Sequence, residues 1–104
     1  MQKTIPIHLS STYQLLQRAF PQGVDERFYW PLLSILQQQM SDRNLAEVIA
    51  ELTGRDYHAV LNDVYRVAAA MHHPIQPPVS PELIQSVQQK LTSCGYAQWL
   101  VGES

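Results

Sequence analysis

The chain has 104 residues, 45% hydrophobic and 15% charged, which suits one compact domain with a packed core and argues against a disordered chain. Seven Lys and Arg against nine Asp and Glu leave a formal net charge of -2, and the seven cations (Lys3, Arg18, Arg27, Arg43, Arg55, Arg66, Lys90) form no run in the sequence. Non-specific nucleic-acid binding and adhesion to an anionic membrane both need clustered cations, so the sequence disfavours both.

Residues 3 to 9 alternate apolar and polar, with Pro6 among them, and are expected as an extended tail lying on the domain. Ser10 and Ser11 are good N-cap residues, after which Tyr13, Leu16 and Phe20 fall on one helical face. Pro21 and Gly23 end this first helix. Asp25 caps a second helix over about 26 to 39, with Phe28, Leu32, Ile35 and Leu36 on one stripe and Tyr29, Leu33 and Met40 beside it. Pro31 would sit at its sixth position, where the ring meets the Arg27 carbonyl at a cost of about 3 kcal/mol. A single turn before Pro31 or a kink at it is therefore expected.

Ser41 and Asp42 open a third helix, where Leu45, Val48, Ile49 and Leu52 repeat at i, i+3, i+4 and i+7. Gly54 is a natural residue just past its end, and Asp56 caps a fourth helix with Val60, Leu61, Val64, Val67, Ala68 and Met71 on its apolar face. His72 and His73 stand near its C-terminus, followed by a linker with Pro74, Pro77 and Pro78. Ser80, Pro81 and Glu82 start a fifth helix carrying Leu83, Ile84, Val87 and Leu91, which Gly95 ends. The tail is too apolar for solvent alone, and Tyr96, Trp99 and Leu100 are expected to dock back. The fold class is all-α: one domain over 1–104, a compact bundle of about five helices with a short extended N-terminal tail.

The lone Cys94 excludes an intrachain disulfide, and no apolar stretch approaches the ~20 residues of a membrane span. The alternation at the N-terminus does not resemble a signal peptide, so a cytoplasmic protein is expected. His72 and His73 are adjacent and diverge on a helix, and His58 and Asp63 are five apart, so no metal site is expected. No glycine-rich phosphate loop, GxSxG or HExxH is present. Neither catalytic residues nor a cofactor are expected, and the chain is read as a non-enzyme.

Phe28, Tyr29 and Trp30 are consecutive and cannot all face one core. With Phe28 in the stripe, Tyr29 and Trp30 are expected to be partly exposed. Together with Trp99 and nearby Gln residues they form the expected partner-binding surface, for another protein or for a second copy in a homodimer. The competing reading has them packed under the tail or against Trp99. A helix-turn-helix-like regulator is the alternative function, since two helices flank Gly54. Its second helix would offer Asp56, His58, Ala59, Asn62 and Asp63 to the groove, and two acids there argue against nucleic acid.

The stretch "FPQGVDERFYWPLLSIL", with its Phe-Pro-x-Gly-Val block, an acid, aromatics and Pro-Leu-Leu, resembles the small, mainly actinobacterial domain-of-unknown-function family 3349. "PPVSPELIQSVQQKLTSCGY" is similar to that family's later pattern. The likeness covers about residues 12 to 100 and rests on Phe20, Pro21, Gly23, Val24, Pro31, Leu32, Leu33, Pro78, Ser80, Val87, Leu91 and Gly95. Tyr96 stands where a Trp is usual, with Trp99 three residues later, and Arg55 to Met71 matches more loosely. The resemblance implies a five-helix fold and supplies no activity, cofactor or catalytic residue. The expected function is a protein-interaction or regulatory adaptor module.

Overall fold

The computed structural model of the chain describes residues 9–72 and 81–102. The expected tail over residues 1–8, the linker prolines Pro74, Pro77 and Pro78, the cap Ser80, and His8 and His73 lie outside the described residues, as do the side chains of Met71 and His72. Among the described residues six helices follow in order: α1 (Ser10–Ala19), α2 (Glu26–Leu36), α3 (Asp42–Thr53), α4 (Tyr57–His72), α5 (Pro81–Ser93) and α6 (Tyr96–Gly102). Among the described residues there is no strand, and no helix is long and apolar enough to cross a membrane.

Local chemistry sets most helix ends. The Asp25 carboxylate accepts from the Arg27 N–H at 3.1 Å, the Ser41 hydroxyl from the Asn44 N–H at 3.2 Å, and the Asp56 carboxylate from the Ala59 N–H at 3.1 Å. Each satisfies a backbone donor that the helix leaves open. Ser10 and Ser11 do not cap: they are the first two helical residues, and Leu9 holds the cap position with no side-chain hydrogen bond. Leu9 is 2% exposed, so burial of an apolar anchor sets the entry into α1 in place of a hydroxyl. α2 stops at Leu36, short of the expected 39, because Gln37–Gln39 form a turn that delivers Ser41 to the start of α3.

Gly54 ends α3 at φ +76°, and its N–H donates to the Ala50 carbonyl at 2.9 Å. A Cβ there would meet nothing within 4 Å. Gly54→Ala therefore adds no clash and carries only the left-handed backbone penalty. An expected loss of about 1–2 kcal/mol, read from urea unfolding, checks this.

α2 is one helix through Pro31, which corrects the expectation of a separate turn before it. From Pro31 to Leu36 every residue is buried, Ser34 included. A helix that is apolar all round belongs in the middle of a bundle. α2 packs on α4 and α5, α3 packs on α4, and α1 packs on α3, α5 and α6. Phe28 and Tyr29 before the proline and the Leu-Leu run after it are all tied into this core. Their combined burial, at roughly 1.5–3 kcal/mol per large side chain, exceeds the local cost of the ring.

Candidate functional site

The chain between α1 and α2 makes a pinned corner. The Phe20 N–H donates to Leu16 at 2.8 Å and the Gly23 N–H to Phe20 at 3.0 Å, closing a tight turn with Gly23 at φ +93°. Phe20 is buried and Val24 packs on the core, while Pro21, Gln22 and Gly23 stand in solvent. A cleft opens on each side of this exposed turn. One, of about 400 Å³, lies toward the end of α3 and is walled by Gln22, Val24, Leu52, Thr53 and Arg55. The other, of about 200 Å³, lies toward α5 and is walled by Phe20, Pro21, Gln22, Asp25, Phe28 and Lys90.

Behind the first cleft runs a chain of polar contacts. The Arg55 guanidinium sits 2.6 Å from a Glu26 carboxylate oxygen and 4.0 Å above the Tyr29 ring centre. The Tyr29 hydroxyl donates to Asp63 at 2.7 Å. Burial, and then the hydrogen bond to the Asp63 carboxylate, push the Tyr29 hydroxyl well above the usual tyrosine range. Tyr29 is thus a neutral donor, and the contacts clamp α2, the α3–α4 turn and α4 together. The Glu26 side chain is 74% exposed, so that ion pair contributes little beyond holding Arg55 over the ring.

The second cleft has an aromatic floor and a cationic rim. Phe20 and Phe28 lie 6.2 Å apart, centre to centre. The Lys90 ammonium is 5.5 Å from the Phe28 ring centre and 6.0 Å from that of Phe20, and the Arg27 guanidinium is 4.8 Å from Phe28. Arg18 donates from Nε and Nη2 to the Cys94 carbonyl at 3.3 and 3.2 Å.

The three expected partner-binding residues do not form one surface. Tyr29 is 1% exposed, which corrects its expected partial exposure: on the central helix its direction faces α4, where Asp63 takes its hydroxyl. Trp30 is half-buried and meets Tyr29 edge-on at 5.3 Å. Trp99 is 8% exposed, donates from Nε1 to the Thr12 hydroxyl at 2.9 Å, and stacks on Tyr96 at 5.6 Å. Burial raises the Tyr96 hydroxyl above its usual range. Tyr96 and Trp99 therefore dock back, as the apolar tail suggests, but as a short helix; Leu100 stays 37% exposed.

Among the described residues no three His, Cys, Asp or Glu side chains gather as a metal-holding group. Sequence reasoning missed the pairing of Arg27 and Lys90 over Phe28, because the two cations are far apart along the chain. It also missed Asp63 as the partner of Tyr29, although an acid one position before Val64 on the apolar side of α4 signals a need for a buried donor.

A family model described as a protein of unknown function (DUF3349) matches residues 8–99. Comparison with curated proteins and with solved structures found no match.

Proposed function

The chain belongs to the DUF3349 family, and from its geometry we propose that it is a protein-interaction module, not an enzyme, whose contact face is the corner around Phe20–Asp25. One observation carries this reading: an exposed turn, fixed by its own hydrogen bonds, stands between two open clefts. A preformed face loses little conformational freedom on binding, so more of its contact energy appears as affinity. The mixed lining suits a protein contact, with apolar Val24, Leu52 and Phe28 beside polar Gln22 and charged Arg55 and Lys90. The partner is another protein, or a second copy of the chain. A cytoplasmic location is part of this proposal, and the unpaired Cys94 is compatible with it.

The helix-turn-helix reading gains support from one observation. Asp63 is turned toward Tyr29, so the exposed face of α4 carries His58, Asn62, Tyr65 and Arg66 with only the capping Asp56 as an acid. The Arg55 charge beside it is matched by Glu26, which leaves few cations for phosphate.

The test is purification from the source cells with nuclease, followed by titration of the recovered partner into the isotope-labelled chain. Amide signals of residues 20–28 and 52–55 are expected to shift. A partner that moves only other faces overturns the placement. Duplex DNA that shifts α4 with salt-sensitive affinity establishes the alternative.

A further inference from the structure

Arg27 on α2 and Lys90 on α5 are brought together over the Phe28 ring, and Arg18 on α1 reaches the chain just past the end of α5. Arg18 is held on the Cys94 carbonyl, in the turn just past the end of α5. Lys90 and Arg27 both lie over the Phe28 ring. No carboxylate of the described residues pairs with Arg18 or Lys90. The nearby acids are already engaged: Asp25, which lines the cleft, caps α2 and lies a loose 3.9 Å from Arg27, and Glu26 is turned to Arg55. A chain of net charge -2 therefore carries a local excess of positive charge around two phenylalanine rings.

We infer that the cleft walled by Phe20, Phe28 and Lys90 takes an acidic segment of a protein partner, an apolar side chain flanked by carboxylates. This rests on the interaction reading above and adds the chemistry of the partner. In the free protein the Lys90 ammonium covers the rings, a contact that shields apolar surface but leaves the charge without a counterion among the described residues. An arriving carboxylate draws Lys90 off the rings, and the apolar neighbour in the segment takes its place on Phe28. Arg27, whose side chain is 68% exposed, can turn to a second carboxylate at small cost, since it gives up a long contact with Asp25 and a solvent-exposed contact with the Phe28 ring. Charge complementarity of this kind sets orientation and speeds encounter. Two cations over the rings beside one carboxylate suit a short acidic segment. A nucleic-acid backbone draws its affinity from many neutralised phosphates, and so fits this corner poorly.

The probe is a synthetic peptide with a central Phe flanked by Glu residues, titrated into the isotope-labelled full chain. The control is the same peptide with Gln in place of Glu. The acidic peptide is expected to shift the signals of Phe20, Phe28 and Lys90, and the neutral one to bind roughly tenfold or more weakly. Lys90→Glu and, separately, Arg27→Glu are each expected to weaken binding by about tenfold with unchanged unfolding midpoints. The two reversals sit on different helices, so a folding defect in one leaves the other as a test. Equal binding of both peptides, or undiminished binding by both variants, overturns the assignment, as does tighter binding of duplex DNA at these residues. If the cellular partner still shifts residues 20–28 while the acidic peptide does not bind, the acidic chemistry alone fails. If that partner leaves residues 20–28 untouched, the interaction face itself is wrong.

Discussion

Tyr29→Ala is expected to destabilise the fold by about 3–5 kcal/mol, the range for deleting a buried aromatic ring. The ring is 1% exposed on the central helix, so its removal leaves a cavity that α2 and α4 cannot easily close. It also strips Asp63 of its donor and Arg55 of the ring beneath it. Tyr29→Phe keeps the packing and removes only the hydroxyl, so about 1.5–3 kcal/mol is expected, as for a hydrogen bond to a charged group. Urea unfolding of the two variants separates packing from hydrogen bonding. A loss under about 1 kcal/mol for Tyr29→Ala would sink the clamp as described.

The same residue makes stability fall at high pH. Its folded-state pKa lies above the ordinary value of 10.0, first through burial and then through Asp63. Tyrosine is neutral when protonated, and above pH 10 the unfolded chain releases this proton while the folded chain keeps it. The unfolded state then binds fewer protons, so stability declines as pH rises, by up to about 1.4 kcal/mol per pH unit for this group. Below pH 10 the contribution is complete. Tyr96, raised by burial, adds to the loss in the same window. Unfolding midpoints between about pH 9 and pH 11 should drop less in Tyr29→Phe than in the parent. An equal drop in both assigns the loss elsewhere.

Trp99→Ala is expected to cost about 3–5 kcal/mol and to release α6. α6 has 7 residues, too few to hold helical form in water without packing. Its anchor is Trp99, stacked on Tyr96 and bonded to Thr12, which is itself 1% exposed. Without the indole the buried Thr12 hydroxyl loses its donor. Trp99→Phe should fall between, and Thr12→Val should then cost little more on that background than Phe alone, since the two share one bond. Far-ultraviolet circular dichroism and amide exchange over residues 96–102 give the readout. Retained protection of α6 in Trp99→Ala would show that Tyr96 holds the helix by itself.

At the candidate corner the sequence marked the turn and the cap but not the rim. Pro21, Gly23 and Asp25 were readable because each acts on its own backbone. Lys90 over Phe20 and Phe28 was not, because no periodicity relates α5 to the α1–α2 turn. Tyr29 was misjudged for a related reason. A stripe drawn for one buried face cannot show that α2 is buried on several faces.

The sequence by itself determined the helical class, the order of the first five helices and most of their ends. Asp25, Ser41, Gly54 and Asp56 act within three or four residues, and so do the apolar repeats of α3 and α4. Only the tertiary structure decided what those helices bring together. Tyr29 meets Asp63 across 34 residues, Arg18 meets Cys94 across 76, and Trp99 meets Thr12 across 87. Packing also overruled local preference at Leu9 and Pro31, because burying a large apolar side chain outweighs a single cap or a single lost backbone bond.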